Sequence, residues 1–483
     1  MEREVSSFDL IVIGAGAAGS TVAGEAVGRG ARVAMIERWK VGGTCLNVGC
    51  DPTKTMVRSA EVLHLARTAQ RFGIAVDGVH PDWPAVMDRV ERVIDTIRGG
   101  DGDKNVRESG VVLFKEQARF RSAHELEVGD QVLRGDKIII AAGAEAVIPP
   151  IEGLRDAGYL TNREAVSIPT LPSSLAIVGG GVIAVEFAQI FARFGVAVTI
   201  LNSRGRILPR EEPVLSEVLQ DVLRAEGIRI EQEVRARRVE RYPEGKRIFS
   251  DRKGETVVTD AAEILLATGR AAATEGLNLE AAGVEYDKRG IAVNAELQTS
   301  APHIYAVGDV VANGYPFTHV ADYHAHIAEH NAMSGLPSRR VDYHAVPWAV
   351  FTDPELGRVG MTEAEAIEAG HDVVCATVQM RDLARAITAD ERGGLVKLVA
   401  DRVSGQLLGG HILAAHGGEL LGEVALALRL RLPVSALCET IHAYPTLSEA
   451  VYWAAYELAK PDTLGHLAVS GVQRPIDQAQ NRP

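Results

Sequence analysis

Asp9-Leu10-Ile11-Val12-Ile13-Gly14-Ala15-Gly16-Ala17-Ala18-Gly19 decides the reading of this chain. Leu10–Ile13 is the unbroken apolar run of a strand buried on both faces, as in a parallel sheet. Glycines 14, 16 and 19 follow at once, and a helical pattern continues to about Gly30. A second strand, Arg32–Ile36, ends at Glu37, 23 residues beyond Gly14. Strand, glycine turn, helix, strand and acid come in the order that a dinucleotide site requires. The glycines permit a tight turn and close backbone approach, the helix N-terminus faces a pyrophosphate, and the acid accepts from a ribose hydroxyl.

The same unit recurs downstream. Leu175–Val178 runs into Gly179-Gly180-Gly181-Val182-Ile183-Ala184, a helix reaches about Gly195, and Val196–Leu201 is the next strand. Gly179 to Asn202 is again 23 residues, so Asn202 stands where Glu37 stood. Two dinucleotide sites in one chain point to electron transfer between two dinucleotides. From about Ala345 the pattern changes. Strands are expected at Ala349–Thr352, Val373–Val378 and Gly394–Ala400, with long helices at Gly418–Arg429 and Leu447–Leu458 and no glycine turn, an α+β unit. Arg235–Arg241 reads as a solvated strand or loop, and Pro461–Pro483 as a loosely held tail.

Composition narrows the function classes. The 483 residues are 46% hydrophobic and 24% charged, which excludes disordered and collagen-like chains. A net charge of −13 without a long basic run argues against nucleic acid as partner. No apolar run reaches the ~18 residues of a membrane span, Leu420–Leu432 being broken by Glu423, Arg429 and Arg431. Met1–Phe8 lacks the apolar segment of a signal peptide, so a cytoplasmic location is expected.

The four cysteines are too few for a disulfide scaffold, but Cys45 and Cys50 lie five residues apart just after the first dinucleotide unit, in Gly42-Gly43-Thr44-Cys45-Leu46-Asn47-Val48-Gly49-Cys50-Asp51-Pro52-Thr53-Lys54. That spacing cannot stack two side chains on one face of a regular helix. They can bridge if the first lies in a turn before a helix and the second at its start. A helix N-terminus lowers a thiol pKa and sharpens the nucleophile, so the pair reads as redox-active. Cys375 and Cys438 read as small core residues.

This stretch resembles the active site of the class I flavin disulfide reductases, which include dihydrolipoamide dehydrogenase, glutathione reductase and mercuric reductase. The resemblance extends over roughly residues 8–460. It implies an α/β chain of two Rossmann-like dinucleotide-binding domains plus a C-terminal α+β dimerisation domain. The divisions would be 1–150 (FAD), 151–270 (NAD(P)), 271–345 (return to the FAD and central part), 346–465 (dimerisation) and 466–483 (tail). It implies an enzyme that moves electrons from NAD(P)H through FAD to a Cys45–Cys50 disulfide, with Cys45 as exchange thiol and Cys50 against the flavin. The FAD site would use Gly14, Gly16, Gly19, Glu37, Gly43, Thr44, Lys54, Gly143 and Asp309, the last from Thr299–Asp309, which is similar to the family's second FAD motif. The NAD(P) site would use Gly179, Gly181, Glu186, Asn202, Arg204 and Gly269. Lys54 and Glu186 match a pair beside the flavin ring. His442-Ala443-Tyr444-Pro445-Thr446-Leu447-Ser448-Glu449 resembles the catalytic His–Glu segment, implying that His442, oriented by Glu449, serves as the base from the partner subunit of a homodimer.

Several departures set further expectations. Asn202 replaces an acid, and Arg204 and Arg206 suit a ribose 2′-phosphate, so NADPH is expected, with NADH possible. Mercuric reductases carry a C-terminal cysteine pair, whereas no Cys follows Cys438 here, and they lack the base. A small disulfide is therefore the expected substrate. The alternatives are a mercuric-type NADPH-dependent metal-ion reductase, a flavoprotein subunit of a larger complex, and a redox sensor. Tyr444 resembles a mercuric-reductase tyrosine. Asp51, where the family usually has Ile or Val, would raise the thiol pKa or cap a helix. His319, His324, His326 and His330 lack a following acid base in the zinc-protease pattern. No metal site is expected there, and the segment reads as a solvated helix.

Overall fold

The computed structural model describes residues 5–336 and 338–460. Of these, 5–209 with 223–342 form one unit, and 210–222 with 343–460 form another. The expected tail and residues 461–465 of the expected dimerisation domain lie outside the described residues, as do residues 1–4.

In the first unit, β1 (Val5–Ile13), α1 (Ala17–Gly28) and β2 (Val33–Ile36) take the expected order. β1 pairs in parallel with β2 on one side and with β3 (Gln131–Ile140) on the other. Strand Val112–Phe114 extends the sheet beyond β2, again in parallel. The apolar run explains this central position, because alternate side chains feed two cores. Leu10, Val12, Val33 and Met35 pack with Ala18, Val22 and Ala26 of α1. Ile11, Ile13, Ala34 and Ile36 pack on the opposite face with Leu126 and Leu133. Each such buried aliphatic side chain contributes about 1.5–3 kcal/mol, so neither face tolerates a polar residue. After β2 come α2 (Gly43–Val48) and α3 (Cys50–Arg67).

The repeat builds a second parallel sheet. β4 (Ser174–Val178), α4 (Val182–Arg193) and β5 (Ala197–Leu201) match the first unit's order, and β6 (Arg229–Glu231) and β7 (Glu263–Leu266) complete the order β6-β5-β4-β7. β8 (Ile304–Ala306) then returns to pair in parallel with β3 of the first sheet. It delivers Gly308 and Asp309 beside α5 (Thr318–Met333). The charged run forms the expected strand, Arg235–Tyr242, antiparallel to Gly245–Arg252. The expectation of a solvated histidine helix holds for His319 and His326, which are exposed, and is corrected for the face that carries His324. α5 buries Ala321, Ala325 and Ala328 in the core with α1, and His324 is fully buried with them.

In the second unit, β9 (Pro347–Val350), β10 (Glu355–Gly360), β11 (Val373–Gln379), β12 (Leu395–Asp401) and β13 (Leu407–Ala414) form an antiparallel sheet in the order β9-β10-β13-β12-β11. α6 (Leu421–Arg429) and α7 (Glu449–Leu458) bury Leu421, Val424, Leu428, Val451 and Leu458 against Val396, Leu398 and Ile412. Cys438 lies in this core, as expected. β10 and β13 were not anticipated because glycines interrupt them, and those glycines are needed for packing. A Cβ on Gly409 would stand 2.0 Å from the Met361 carbonyl oxygen.

Candidate functional site

The two glycine turns have the same geometry. Gly14 and Gly179 adopt φ of +105° and +128°, and a Cβ at either would fall 2.3 or 2.2 Å from a carbonyl oxygen, of Ala141 or Ala267. At Gly19 a Cβ would lie 1.9 Å from the Gly14 oxygen, so the helix packs on its own turn only without a side chain there. Gly16 and Gly181 differ from these. They are the N-caps of α1 and α4, no side chain caps either helix, and a Cβ at Gly181 would meet nothing within 4 Å. Two uncapped helix mouths lined by glycine suit two pyrophosphates, so the residues present fit FAD and a nicotinamide dinucleotide. Gly43, at φ +60°, brings its backbone against Gly16, a Cβ there falling 2.8 Å from the Gly16 Cα.

Glu37 is buried at the end of β2, where it accepts N–H groups from Ala15 at 2.8 Å and Trp39 at 2.6 Å. Its carboxylate therefore holds the turn. Asp309 pairs with Arg270 at 3.3 Å, and burial raises its carboxyl above the ordinary value while Arg270 opposes the shift. His324 holds this segment, accepting the Gly308 N–H at Nδ1 over 3.1 Å, and burial pushes its pKa down to about 4, keeping it a neutral acceptor. The carbonyls of Gly143 and Gly269 accept from Ala273 and Val147, closing the two connections.

Cys45 and Cys50 are both free thiols here. Cys50 opens α3, as expected, but Cys45 sits within α2 and not in a turn. Gly49 makes the break between the helices, since a Cβ there would lie 2.8 Å from the Thr44 carbonyl oxygen. Asn47 braces the segment by donating to the carbonyls of Val41 and Gly43 at 3.0 and 2.8 Å, and Arg98 donates to its Oδ1. Thr318, the first residue of α5, places Oγ1 3.5 Å from the Cys50 Sγ. The Cys50 thiol is pushed down from 9.0 to about 6, first by the hydrogen bond from Cys45, then by Thr318 and the charge of Lys54, with burial and Asp51 opposing. That hydrogen bond, burial and the Cys50 charge push Cys45 up out of the ordinary thiol range. The pair thus shares one proton, with the thiolate on Cys50. Lys54 bonds both Glu186 carboxylate oxygens at 3.1 and 2.8 Å, and Glu186 is only 3% exposed. The sequence reading assigned no role to Thr318, Asn47 or His324. No local signal could link Thr318 to a thiol 268 residues away.

At the second glycine turn, Asn202 is buried and its amide is fully engaged. Nδ2 donates to the carbonyls of Arg204 and Arg206 at 3.1 and 2.8 Å, and Oδ1 accepts from the Arg204 N–H. Asn202 therefore shapes the loop, with both Nδ2 hydrogens used and Oδ1 accepting one N–H. Arg204 is exposed, while Arg206 donates to the Pro209 carbonyl at 3.1 Å.

In the second unit the expected His442–Glu449 pair does not form. His442 Nε2 bonds Glu423 of α6 at 2.8 Å and Nδ1 bonds the Thr440 carbonyl at 2.9 Å. Glu449, the first residue of α7, instead accepts the Thr446 N–H at 3.1 Å, closing the turn that precedes its own helix. Tyr444 and Ile441 form the exposed tip, at 73% and 97% exposure.

Comparison with known proteins matches the sequence profile described as pyridine nucleotide-disulphide oxidoreductase to residues 8–325, and the profile for that family's dimerisation domain to residues 346–455. The chain belongs to the pyridine nucleotide-disulphide oxidoreductases. A mercuric reductase of Lysinibacillus sphaericus is 35% identical, over 94% of this chain and 83% of that one. A dihydrolipoyl dehydrogenase of Haloferax volcanii is also 35% identical, over 92% and 95%. The solved HOCl-induced flavoprotein disulfide reductase RclA of Escherichia coli superposes with a TM-score of 0.83 at 31% identity, over 93% of this chain and 99% of that one. RclA has also been solved as a Cu(II) complex. This family member is therefore an FAD- and NAD(P)H-dependent oxidoreductase with Rossmann-like domains and a dimerisation domain, as the sequence implied. No helix among the described residues is long and apolar enough to cross a membrane.

Proposed function

We propose that this oxidoreductase delivers electrons from NADPH through the Cys45/Cys50 pair to a soft, thiol-binding metal cation, mercuric- or cupric-like. The carrying observation is the engagement of His442. Both ring nitrogens face protein oxygens, Nε2 the Glu423 carboxylate and Nδ1 the Thr440 carbonyl, and Glu449 is held by Thr446, so His442 is bonded within its own unit and not turned out as a free proton acceptor. Disulfide exchange needs such a proton acceptor. Binding a metal cation between two sulfurs needs thiolates, and the depressed Cys50 thiol supplies one near neutral pH. On this reading the metal-ion alternative is preferred to the small disulfide that the sequence favoured.

Bound FAD would carry two electrons from the nicotinamide to the cysteine disulfide. The chain's own residues do the rest. Gly14, Gly16, Gly19, Glu37 and Asp309 position that group, and Lys54, ion-paired with Glu186, sits beside Cys50. Two electrons from one NADPH reduce one divalent cation to the metal or two to the monovalent state. Arg204, on the loop held by Asn202, gives the preference for NADPH. A homodimer is proposed with this, supported by the dimerisation domain and the exposed apolar residues Leu426, Leu430 and Ile441. The exposed Tyr444 tip would face the partner's redox site. A cytoplasmic location is proposed with this, where cysteine pairs are redox-cycling more often than structural.

The test compares NADPH oxidation by Hg(II) and Cu(II) with that by lipoamide and glutathione disulfide. Faster turnover of a metal ion than of either disulfide supports the proposal. Turnover confined to a disulfide overturns it.

A further inference from the structure

Asp51 follows Cys50 directly in the first turn of α3, and of its two expected roles only one, raising the thiol pKa, is met. It does not cap the helix. The N-cap is Gly49, no side chain caps α3, and the Asp51 carboxylate accepts no hydrogen bond among the described residues. Only its backbone carbonyl is used, accepting the Thr55 hydroxyl at 2.7 Å. The residue is half-buried, and burial lifts its carboxyl above the ordinary value while Lys54 pulls it back. Such a position is unfavourable for a carboxylate unless something there gains from the charge.

Both cysteines feel that charge, which raises the pKa of each. The nearby cation, Lys54, is already shared with both oxygens of Glu186. Asp51 and Glu186 against Lys54 leave one net negative charge beside the cysteine pair before any thiolate is counted. We infer that Asp51 is a specificity-determining residue, a fixed negative charge beside the redox pair that selects cationic acceptors and repels anionic ones. This rests on the reading of Cys45/Cys50 as the electron outlet, and it extends that reading from soft metals to the charge class of any acceptor. Across a few ångströms of partly wetted protein, one unit charge changes the encounter and binding of a charged reactant by roughly three- to tenfold, with opposite sign for opposite charges.

The test uses thiol-modifying reagents of one chemistry and two charges. Prereduced full-length holoenzyme is treated with aminoethyl methanethiosulfonate, a cation, and with sulfonatoethyl methanethiosulfonate, an anion. The ratio of their rates at the cysteine pair is compared between wild type, Asp51→Asn and Asp51→Glu. The ratio should favour the cation in wild type, fall by roughly tenfold or more in Asp51→Asn, return in Asp51→Glu, and shrink with added salt. A ratio equal in wild type and Asp51→Asn would overturn the inference, as would one that Asp51→Glu does not restore. Retained FAD absorbance shows that the variants fold. The readout needs no metal turnover. A falling ratio in an enzyme that does not reduce metal ions would sink the proposed substrate and leave the Asp51 inference standing.

Discussion

On the proposed function, Cys50 is the residue on which the chemistry turns, because it carries the thiolate of a pair that shares one proton. With its thiol at about 6, Cys50 is a thiolate above that pH and a thiol below it. Alkylation of the reduced protein should therefore rise between pH 5 and pH 7, well below the range of a free thiol. Cys45→Ala removes the hydrogen bond that dominates this shift and should move the midpoint up by about one unit or more. A midpoint near 9 in the unaltered protein would contradict the account. The partnership of the two cysteines was legible in their spacing. The groups that tune them were only partly so, since Asp51 and Lys54 are sequence neighbours whereas Thr318 arrives through the fold. His442 shows the same limit. Its carboxylate partner was sought at Glu449 by resemblance, yet Glu423 on α6 occupies Nε2, and nothing in the local sequence distinguishes the two acids.

At the scale of elements, the glycine turns separate packing from binding. Gly14 and Gly19 are required by close backbone contact, whereas Gly181 stands at an open helix mouth. Gly14→Ala should destabilise the protein by about 1–3 kcal/mol or more, given its positive φ, and lower FAD content. Gly181→Ala should leave denaturant stability within about 0.5 kcal/mol and weaken NADPH binding, because its methyl group would occupy only open space. Equal loss of stability in the two variants would contradict this division. On the loop after β5, Arg204→Ala should lower kcat/KM for NADPH by about tenfold and leave NADH unchanged, as expected for loss of one charge-assisted contact. Steady-state kinetics with both nucleotides would show it, and an equal effect on both would mean that Arg204 points elsewhere. These turns were legible because three glycines at fixed offsets have few other uses. The strands β10 and β13 were not, because their glycines imitate loop punctuation while serving close packing.

For the whole molecule, the proposed electron path rests on the order of two nucleotide units, a cysteine pair and a dimerisation domain, and its outlet decides the proposed function. The path was legible because each part has a compact signature in a short stretch. The outlet was not, because it depends on which way one histidine faces. The most direct measurement is anaerobic NADPH oxidation by wild type, His442→Ala and Cys50→Ser, each offered Hg(II) or Cu(II) and, separately, a neutral disulfide. The account predicts metal-driven turnover that exceeds disulfide turnover, stays within about threefold in His442→Ala, and is lost in Cys50→Ser. Disulfide turnover that exceeds metal turnover and falls by about 10²–10⁴-fold in His442→Ala would contradict it.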